Sequence, residues 1–302
     1  MSWFYLALLA PFLFAVVNLI DDNMLRFVYK GPHLATALTG LFGALPLVSL
    51  LFLDTKPTPS NLLVLMVLAG FLTTIYYFFY FRSLELESPS IVISMLSLVP
   101  ATVPILSYFF LDERLTSIQI VGFLLVLLAS LGLALTEVKK FTFSKALIPV
   151  LVVVLILDIV SILTKYVYSQ ADFYTAYMYF AAGMGLGGIY FPLIMYYEKT
   201  EHDFSVLKTK LHKTIPLLIF VELLGILSEF ILNLAISRGP VSLVKAIEGS
   251  QPLFVLAIAL ILYPFYPKFF REAEESKSLK KFILMGIVVA GLAIISITSK
   301  SA

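Results

Sequence analysis

Long apolar segments separated by short polar breaks dominate the pattern of hydrophobic and polar positions along the chain. The segments have the length of about 17–25 residues that an α-helix needs to cross a bilayer. Their polarity does not alternate as in a membrane β-barrel, and backbone groups in lipid must be satisfied internally. The pattern predicts an all-α integral membrane protein with ten transmembrane helices over residues 2–20, 33–53, 61–81, 89–111, 116–136, 145–167, 173–197, 214–237, 240–263 and 279–298.

The fourth and ninth predicted spans are similar to each other when the chain is shifted by half its length. SPSIVISMLSLVPATV aligns with PVSLVKAIEGSQPLFV, so that Ser90 lies over Ser242 and Pro100 over Pro252. The aligned prolines predict a matched kink in both helices. Because each half holds an odd number of spans, the halves must be inverted relative to each other. We therefore expect two inverted five-helix repeats, 1–140 and 141–302, a plan common among secondary transporters.

These segments resemble a known family. Residues 83–135, SLELESPSIVISMLSLVPATVPILSYFFLDERLTSIQIVGFLLVLLASLGLAL, are similar to the third-to-fifth-span pattern of the EamA-domain branch of the drug/metabolite transporter superfamily. Residues 235–255 repeat part of that pattern, although the second half lacks Glu-Arg-Leu and Asp112 replaces a small residue before it. The resemblance implies the ten-helix fold and transport of a small metabolite, amino acid, sugar or drug.

Composition agrees with a membrane location and excludes several functions. The chain is 60% hydrophobic and 13% charged, whereas soluble proteins are about 45–50% apolar and about 25% charged. A net charge of +2 gives no basic surface for nucleic acid. Cysteine is absent, the histidines are not paired at metal-ligand spacing inside a span, and no phosphate-binding loop is present.

We therefore expect no enzyme activity, no cofactor and no metal. We expect a multi-pass protein of the plasma membrane whose partners are a small-molecule solute and the lipid bilayer, with protons as the candidate coupling ion. A GxxxG motif, Gly183 to Gly187, allows close helix approach within a monomer or across a homodimer.

The segment SLVKAIEGSQPLF places two charges inside the ninth span. Lys245 and Glu248 are three residues apart, so they lie on one helix face and can pair. A charge at the centre of a span costs about 2.5–3.5 kcal/mol, and such residues usually face a cavity on a functional path. The aligned positions of the fourth span are Ile93 and Leu96, so the shared scaffold does not need the charges. A structural ion pair is the alternative.

Other polar residues deep in the spans are candidates for solute binding. Glu229 and Asn233 share one helical stripe with Glu222 in the eighth span, and Glu229 is the candidate proton-carrying carboxylate. A cavity that combines Lys245, Glu248, Glu229 and Asp158 would suit a zwitterion such as an amino acid, provided that all face inward. The remaining predicted solute-binding residues, for which packing or helix-to-helix hydrogen bonding is the alternative, are Asn18, Tyr76, Tyr80, Ser97 and Gln251.

Two questions stay open at the level of sequence. Most lysines and arginines follow the odd-numbered spans, which would place both termini outside, whereas the family resemblance implies both inside. The function could also be that of a membrane binding or scaffold protein that transports nothing, or of a flippase for a lipid-linked sugar. A lipid-modifying enzyme is disfavoured because no catalytic set of residues is readable.

Overall fold

The computed structural model describes residues 2–24, 31–52, 54–87, 92, 95–96, 98–136, 145–197, 202–262, 264 and 279–298. Those residues form helices and connections without a strand. A 3-10 helix, Leu45–Leu51, follows the second α-helix. The α-helices are α1 (Trp3–Met24), α2 (Pro32–Gly43), α3 (Ser60–Leu86), α4 (Val99–Leu111), α5 (Ser117–Thr136), α6 (Leu147–Tyr168), α7 (Phe173–Tyr197), α8 (His202–Arg238), α9 (Val241–Glu248), α10 (Gln251–Leu262) and α11 (Leu279–Thr298).

Within the described chain, 8 helical segments are long and apolar enough to cross a membrane. They coincide with the first three and the last five predicted spans, α2 being counted with its 3-10 helix and α9 with α10. The remaining two predictions fall on shorter apolar helices, Val99–Leu111 and Ser117–Leu133. The all-α membrane fold is thus confirmed, while the count of ten spans and the inverted repeat stay predictions.

Two helix boundaries differ from the expectation. α8 begins at His202, well before residue 214, where the predicted eighth span begins. The sequence HDFSVLKTKLHK contains no glycine or proline that would end a helix. The predicted ninth span is divided at Gly249 and Ser250 into α9 and α10. Pro252 explains this interruption, because proline has no N–H for the carbonyl four residues earlier and its ring would clash with it.

The helices of the two sequence halves interlock. α1 packs against α8, α3 against α6 and α7, α4 against α9, and α5 against α11. The interruption of the ninth span lies against the first turn of α4, where a side chain on Gly249 would meet the ring of Pro100 at 2.8 Å. The two aligned proline segments therefore cross each other near the middle of the molecule.

Glycines allow α2, α3 and α7 to pack backbone against backbone. A side chain on Gly183 would collide with the carbonyl of Val67, and one on Gly70 would collide with the carbonyl of Phe180. Gly187, the other glycine of the GxxxG motif, lies against Thr74. Both glycines of that motif thus pack inside the chain, which answers the choice between monomer and dimer contact for this helix face.

One end of the bundle is held together by contacts between the sequence halves. Gly239, between α8 and α9, lies against the indole of Trp3 at the start of α1. Lys165 Nζ in the last turn of α6 donates to the Gly239 carbonyl at 2.7 Å. Asp172 follows α6 at the same end, and Lys56 donates to its carboxylate at 2.7 Å. We call this end the Trp3 face, defined by Trp3, Lys56, Glu113, Lys165, Asp172 and Gly239.

Candidate functional site

A cavity of about 110 Å³ lies among α1, α2, α3, α7, α8 and the interruption between α9 and α10. Six of the predicted site residues line it: Asn18, Tyr76, Tyr80, Glu229, Glu248 and Gln251. Both α1 and α3 begin at the Trp3 face, and their lining residues lie in the second half of each helix. The cavity therefore extends from the middle of the bundle toward the end opposite the Trp3 face.

The two charges of α9 form an ion pair beside this cavity. Lys245 Nζ lies 2.7 Å from Glu248 Oε2. The side chain of Lys245 is only 5% exposed and that of Glu248 is 23% exposed. Because α9 ends at Glu248, the carboxylate lies where the helix stops and the chain turns through Gly249. The lysine is thus neutralised by its own helix, and the glutamate is the member of the pair that reaches the main cavity.

Glu229 belongs to a buried chain of hydrogen bonds. Asn233 Nδ2 donates to Glu229 Oε1 at 2.8 Å, and Tyr168 OH donates to Asn233 Oδ1 at 2.9 Å. All three residues are more than nine-tenths buried. The Tyr168 hydroxyl orients the Asn233 amide, and the amide in turn fixes the Glu229 carboxylate at the cavity wall. Two residues of the predicted stripe, Glu229 and Asn233, are therefore connected to each other and to Tyr168 of α6.

Two smaller cavities adjoin the first. One, of about 30 Å³, is lined by Ser161, Thr164, Asn233 and Lys245 among others. The other, of about 90 Å³, lies beside Pro100 and Gly249 and is also lined by Lys245. Glu248 lines all three cavities. Lys245 is the cationic residue among these lining residues, and it reaches the smaller cavities rather than the main one.

Several cavity residues were not among the predicted site residues. Thr39 Oγ1 donates to Glu222 Oε1 at 3.2 Å, and both residues line the main cavity. Glu222 carried a readable signal, because it lies on the same helical stripe as Glu229. Thr39 could not be recognised from the sequence, because a single threonine in an apolar helix becomes a partner of Glu222 only when α2 packs near α8. Tyr77 and Tyr177 also line the cavity, and Tyr77 stacks on Tyr76 with ring centroids 4.3 Å apart.

Asp158 takes part in a contact between two helices and does not line the described cavities. Thr102 Oγ1 donates to its carboxylate at 2.9 Å, which joins α4 to α6. The side chain is buried, and it is not among the lining residues of the three cavities. The predicted cavity required Lys245, Glu248, Glu229 and Asp158 to face inward together, and Asp158 does not line a cavity with the other three. Ser97 lies outside the described residues.

The model of the EamA-like transporter family matches residues 1–135. Over those residues the chain is similar to the EamA-like transporter family. The match runs from α1 to the last turn of α5, and it contains the segment on which the sequence resemblance rested. Together with the eight apolar helices of the described chain, this similarity indicates a multi-pass integral membrane protein.

Solved structures share the fold over nearly the whole chain. In all, 26 chains match, and one of them is described as "Crystal structure of protein". Its sequence is 19% identical, its TM-score is 0.69, and the match covers 98% of this chain and 98% of that chain. The search of curated proteins found no match.

The Glu-Arg-Leu segment lies at the Trp3 face. Asp112 ends α4 in the left-handed conformation with φ of 49°, which aspartate and asparagine tolerate better than most residues. The turn brings the Glu113 carboxylate to the first residues of α9, where it accepts hydrogen bonds from two backbone N–H groups. Within the described chain, no group of three or more His, Asp or Glu side chains could hold a metal ion.

Proposed function

We propose that this EamA-like protein is a secondary-active transporter that moves a small solute through the cavity by alternating access. The observation that carries the proposal is a cavity with three carboxylates in its wall inside a membrane protein, lined by residues from both predicted repeats. Intramembrane carboxylates are costly and usually mark a solute or ion pathway. Glu222, Glu229 and Glu248 meet in this one cavity, whose wall also includes the interrupted ninth span.

The cavity and the Trp3 face together suggest one state of a transport cycle. The cavity lies between the middle of the molecule and the end opposite the Trp3 face, whereas contacts between the halves hold the Trp3 face together. We propose that the solute enters from the opposite end in this state and leaves through the Trp3 face in another. The predicted division into repeats 1–140 and 141–302 is compatible with this cycle, because the cavity is built from both.

The charges favour a solute that carries a cationic group over a simple zwitterion. Three glutamates and four tyrosines line the main cavity, while Lys245 is paired within α9. Carboxylates would attract an ammonium group, and tyrosine rings would contact it through their electron-rich faces. A cationic amine therefore fits this lining better than an amino acid. Protons remain the proposed coupling ion, carried by Glu229.

A flux assay tests the transport proposal. The full chain, reconstituted in liposomes, is assayed for uptake of radiolabelled primary and quaternary amines, with and without an imposed pH gradient. We expect uptake by the wild type, a large loss in Glu229→Gln and no change in the exposed control Asp54→Asn. A ligand at about a hundred times its dissociation constant should also raise the unfolding free energy by about 2.7 kcal/mol.

Other outcomes would favour the alternatives. Stabilisation by an amine without flux would indicate a membrane binding or scaffold protein. Movement of a lipid-linked sugar between leaflets, without amine uptake, would indicate a flippase. No stabilisation and no flux with any of these compounds would contradict the assignment of the cavity as a solute site.

A further inference from the structure

The carboxylate of Glu113 occupies the beginning of α9. Its Oε2 accepts from the Val241 N–H and its Oε1 from the Ser242 N–H, each at 2.9 Å. These are the first two residues of the helix, whose N–H groups have no partner within it. A negative charge at this position is also favoured by the helix dipole. One side chain of the first predicted repeat thus holds a helix of the second by two charge-assisted hydrogen bonds.

The connection between α8 and α9 is also held at its α8 end, by a lysine. Lys165 Nζ donates to the carbonyls of Ile236 at 3.0 Å and Gly239 at 2.7 Å, at the end of α8. A cation therefore holds the carbonyl end of one helix and a carboxylate holds the N–H end of the next. The hydroxyls of Ser107 and Ser242 lie 2.6 Å apart and add a contact between α4 and α9.

α9 links this contact directly to the cavity. It is 8 residues long, which corresponds to about 12 Å of helix. Its residues from Val241 to Ile247 are buried, so it is packed as a rigid rod. Its first turn is bound by Glu113, and its last turn carries Lys245 and Glu248. A displacement of one end must therefore move the other.

We propose that Glu113 is the latch of the Trp3 face. When it binds the start of α9, the face is closed and Glu248 is held at the cavity. When it releases α9, the face opens and the α9–α10 interruption moves with it. The proposal rests on the transport function proposed above, and it makes Glu113 a positioning residue that acts on the site through α9.

A permanent helix cap is the competing explanation, and the two differ in what a mutation does to the rest of the protein. Loss of a cap loosens α9 locally and leaves the cavity as it was. Loss of a latch opens the Trp3 face and closes the opposite end, so exposure at the two ends changes in opposite directions.

The absence of cysteine from the sequence makes this difference measurable. Val103→Cys places one thiol on α4, one turn from Ser107, at a residue that is 0% exposed. Gly225→Cys places one in the main cavity, where a side chain has nothing within 4 Å. Each full-length variant, purified in detergent, is labelled with a water-soluble maleimide in the Glu113 and Glu113→Gln backgrounds. Asp112→Asn is the matched control, since the neighbouring residue is exposed and asparagine also accepts its left-handed conformation.

Glutamine keeps the shape of Glu113 but replaces one acceptor by an NH₂ group that faces an N–H donor. We expect Val103→Cys labelling to become at least about tenfold faster, equivalent to about 1.4 kcal/mol, and Gly225→Cys labelling to become slower. Asp112→Asn should change neither rate. If Glu113→Gln does not fold, Glu113→Asp is assessed by the same criterion.

Faster labelling at Val103 alone, faster labelling at both positions, or no change at either would overturn the latch. Amine flux by the wild type is measured separately. Reciprocal labelling without flux would count against the proposed transport function, whereas flux without reciprocal labelling would count against the latch alone.

Discussion

At the scale of single residues, the spacing of charges was more informative than their mere presence. The three-residue separation of Lys245 and Glu248 predicted their ion pair, because helix geometry fixes which neighbours share a face. The stripe of Glu229 and Asn233 was readable for the same reason. Asp158 is also a carboxylate inside a span, yet its hydrogen bond comes from Thr102 of another helix. Contacts between helices depend on packing that the sequence of one helix does not contain.

The Lys245–Glu248 pair gives a stability prediction with a built-in control. Glu248→Gln leaves the buried ammonium of Lys245 without its counter-charge, so the free energy of unfolding should fall by about 3 kcal/mol. The double variant Lys245→Met with Glu248→Leu should recover most of that loss, because apolar residues of similar volume often replace a buried pair at little cost. Denaturant unfolding in detergent measures both. An unchanged stability in Glu248→Gln would contradict the pair.

The hydrogen bond from Tyr168 to Asn233 predicts a smaller effect. Tyr168→Phe removes the hydroxyl and leaves the Asn233 carbonyl oxygen buried without its donor, which should cost about 1–3 kcal/mol. Tyr166→Phe, at a residue exposed to the surroundings of the helix bundle, should change the unfolding midpoint little. Equal shifts in the two variants would show that the network does not stabilise the fold.

At the scale of helices, apolar length located the spans but not their partners. Lipid is as apolar as leucine, so a span is hydrophobic on the side facing lipid as well as on the side facing protein. The Gly183–Gly187 motif predicted a close approach, and the structure identifies α3 as its partner. Pro252 predicted a kink because its chemistry does not fit a continuous helix, and the structure divides the ninth span there into α9 and α10. Features with a local cause were thus readable, and the choice of neighbour was not.

Glycine positions in α7 and α11 provide a matched comparison at this scale. Gly183→Ala drives a methyl group into the Val67 carbonyl, so we expect the folded protein to lose about 3 kcal/mol or more of stability. Gly286→Ala meets nothing within 4 Å and should gain up to about 1 kcal/mol from helix propensity. Thermal unfolding of the two variants beside the wild type measures the difference. Similar behaviour of both would contradict the α3–α7 packing.

At the scale of the whole molecule, the fold is more widely shared than the sequence. The chain matches one solved structure over 98% of its length at 19% identity. Span lengths and the need to satisfy backbone groups in lipid constrain the architecture strongly, while they leave cavity residues free to vary. This is why the sequence predicted the class of fold and six lining residues of the main cavity, but not Thr39 or the role of Glu113 at α9.

The ion pair at the Trp3 face gives a prediction about acid stability. The hydrogen bond from Lys56 is the main reason why the pKa of Asp172 is lowered from 3.8. The folded protein therefore binds a proton at Asp172 less readily than the unfolded chain does. The stabilisation of the fold by the Lys56–Asp172 pair is complete above pH 3.8, and it is lost as the pH falls through the lower pKa that Asp172 has in the folded protein. The contact is at the surface, so its contribution should be below about 1 kcal/mol.

The free energy of unfolding, measured as a function of pH, tests whether the stabilisation by this pair is lost in acid. Asp172→Asn should be less stable than the wild type near neutral pH, and the two curves should converge in strong acid. Asp54→Asn, another exposed aspartate, should follow the wild-type curve. A gap that widens on acidification would contradict the lowered pKa.

The backbone contacts of α7 with α2 and α3 have a consequence for how the protein is made. α7 is synthesised after α1 to α5. The surfaces of α2 and α3 that pack against its glycines therefore have no partner until α7 has been made. The segment that matches the family model is therefore not a unit that can finish folding by itself. Insertion into the bilayer can proceed helix by helix, but assembly must wait until α7 has left the translocation machinery.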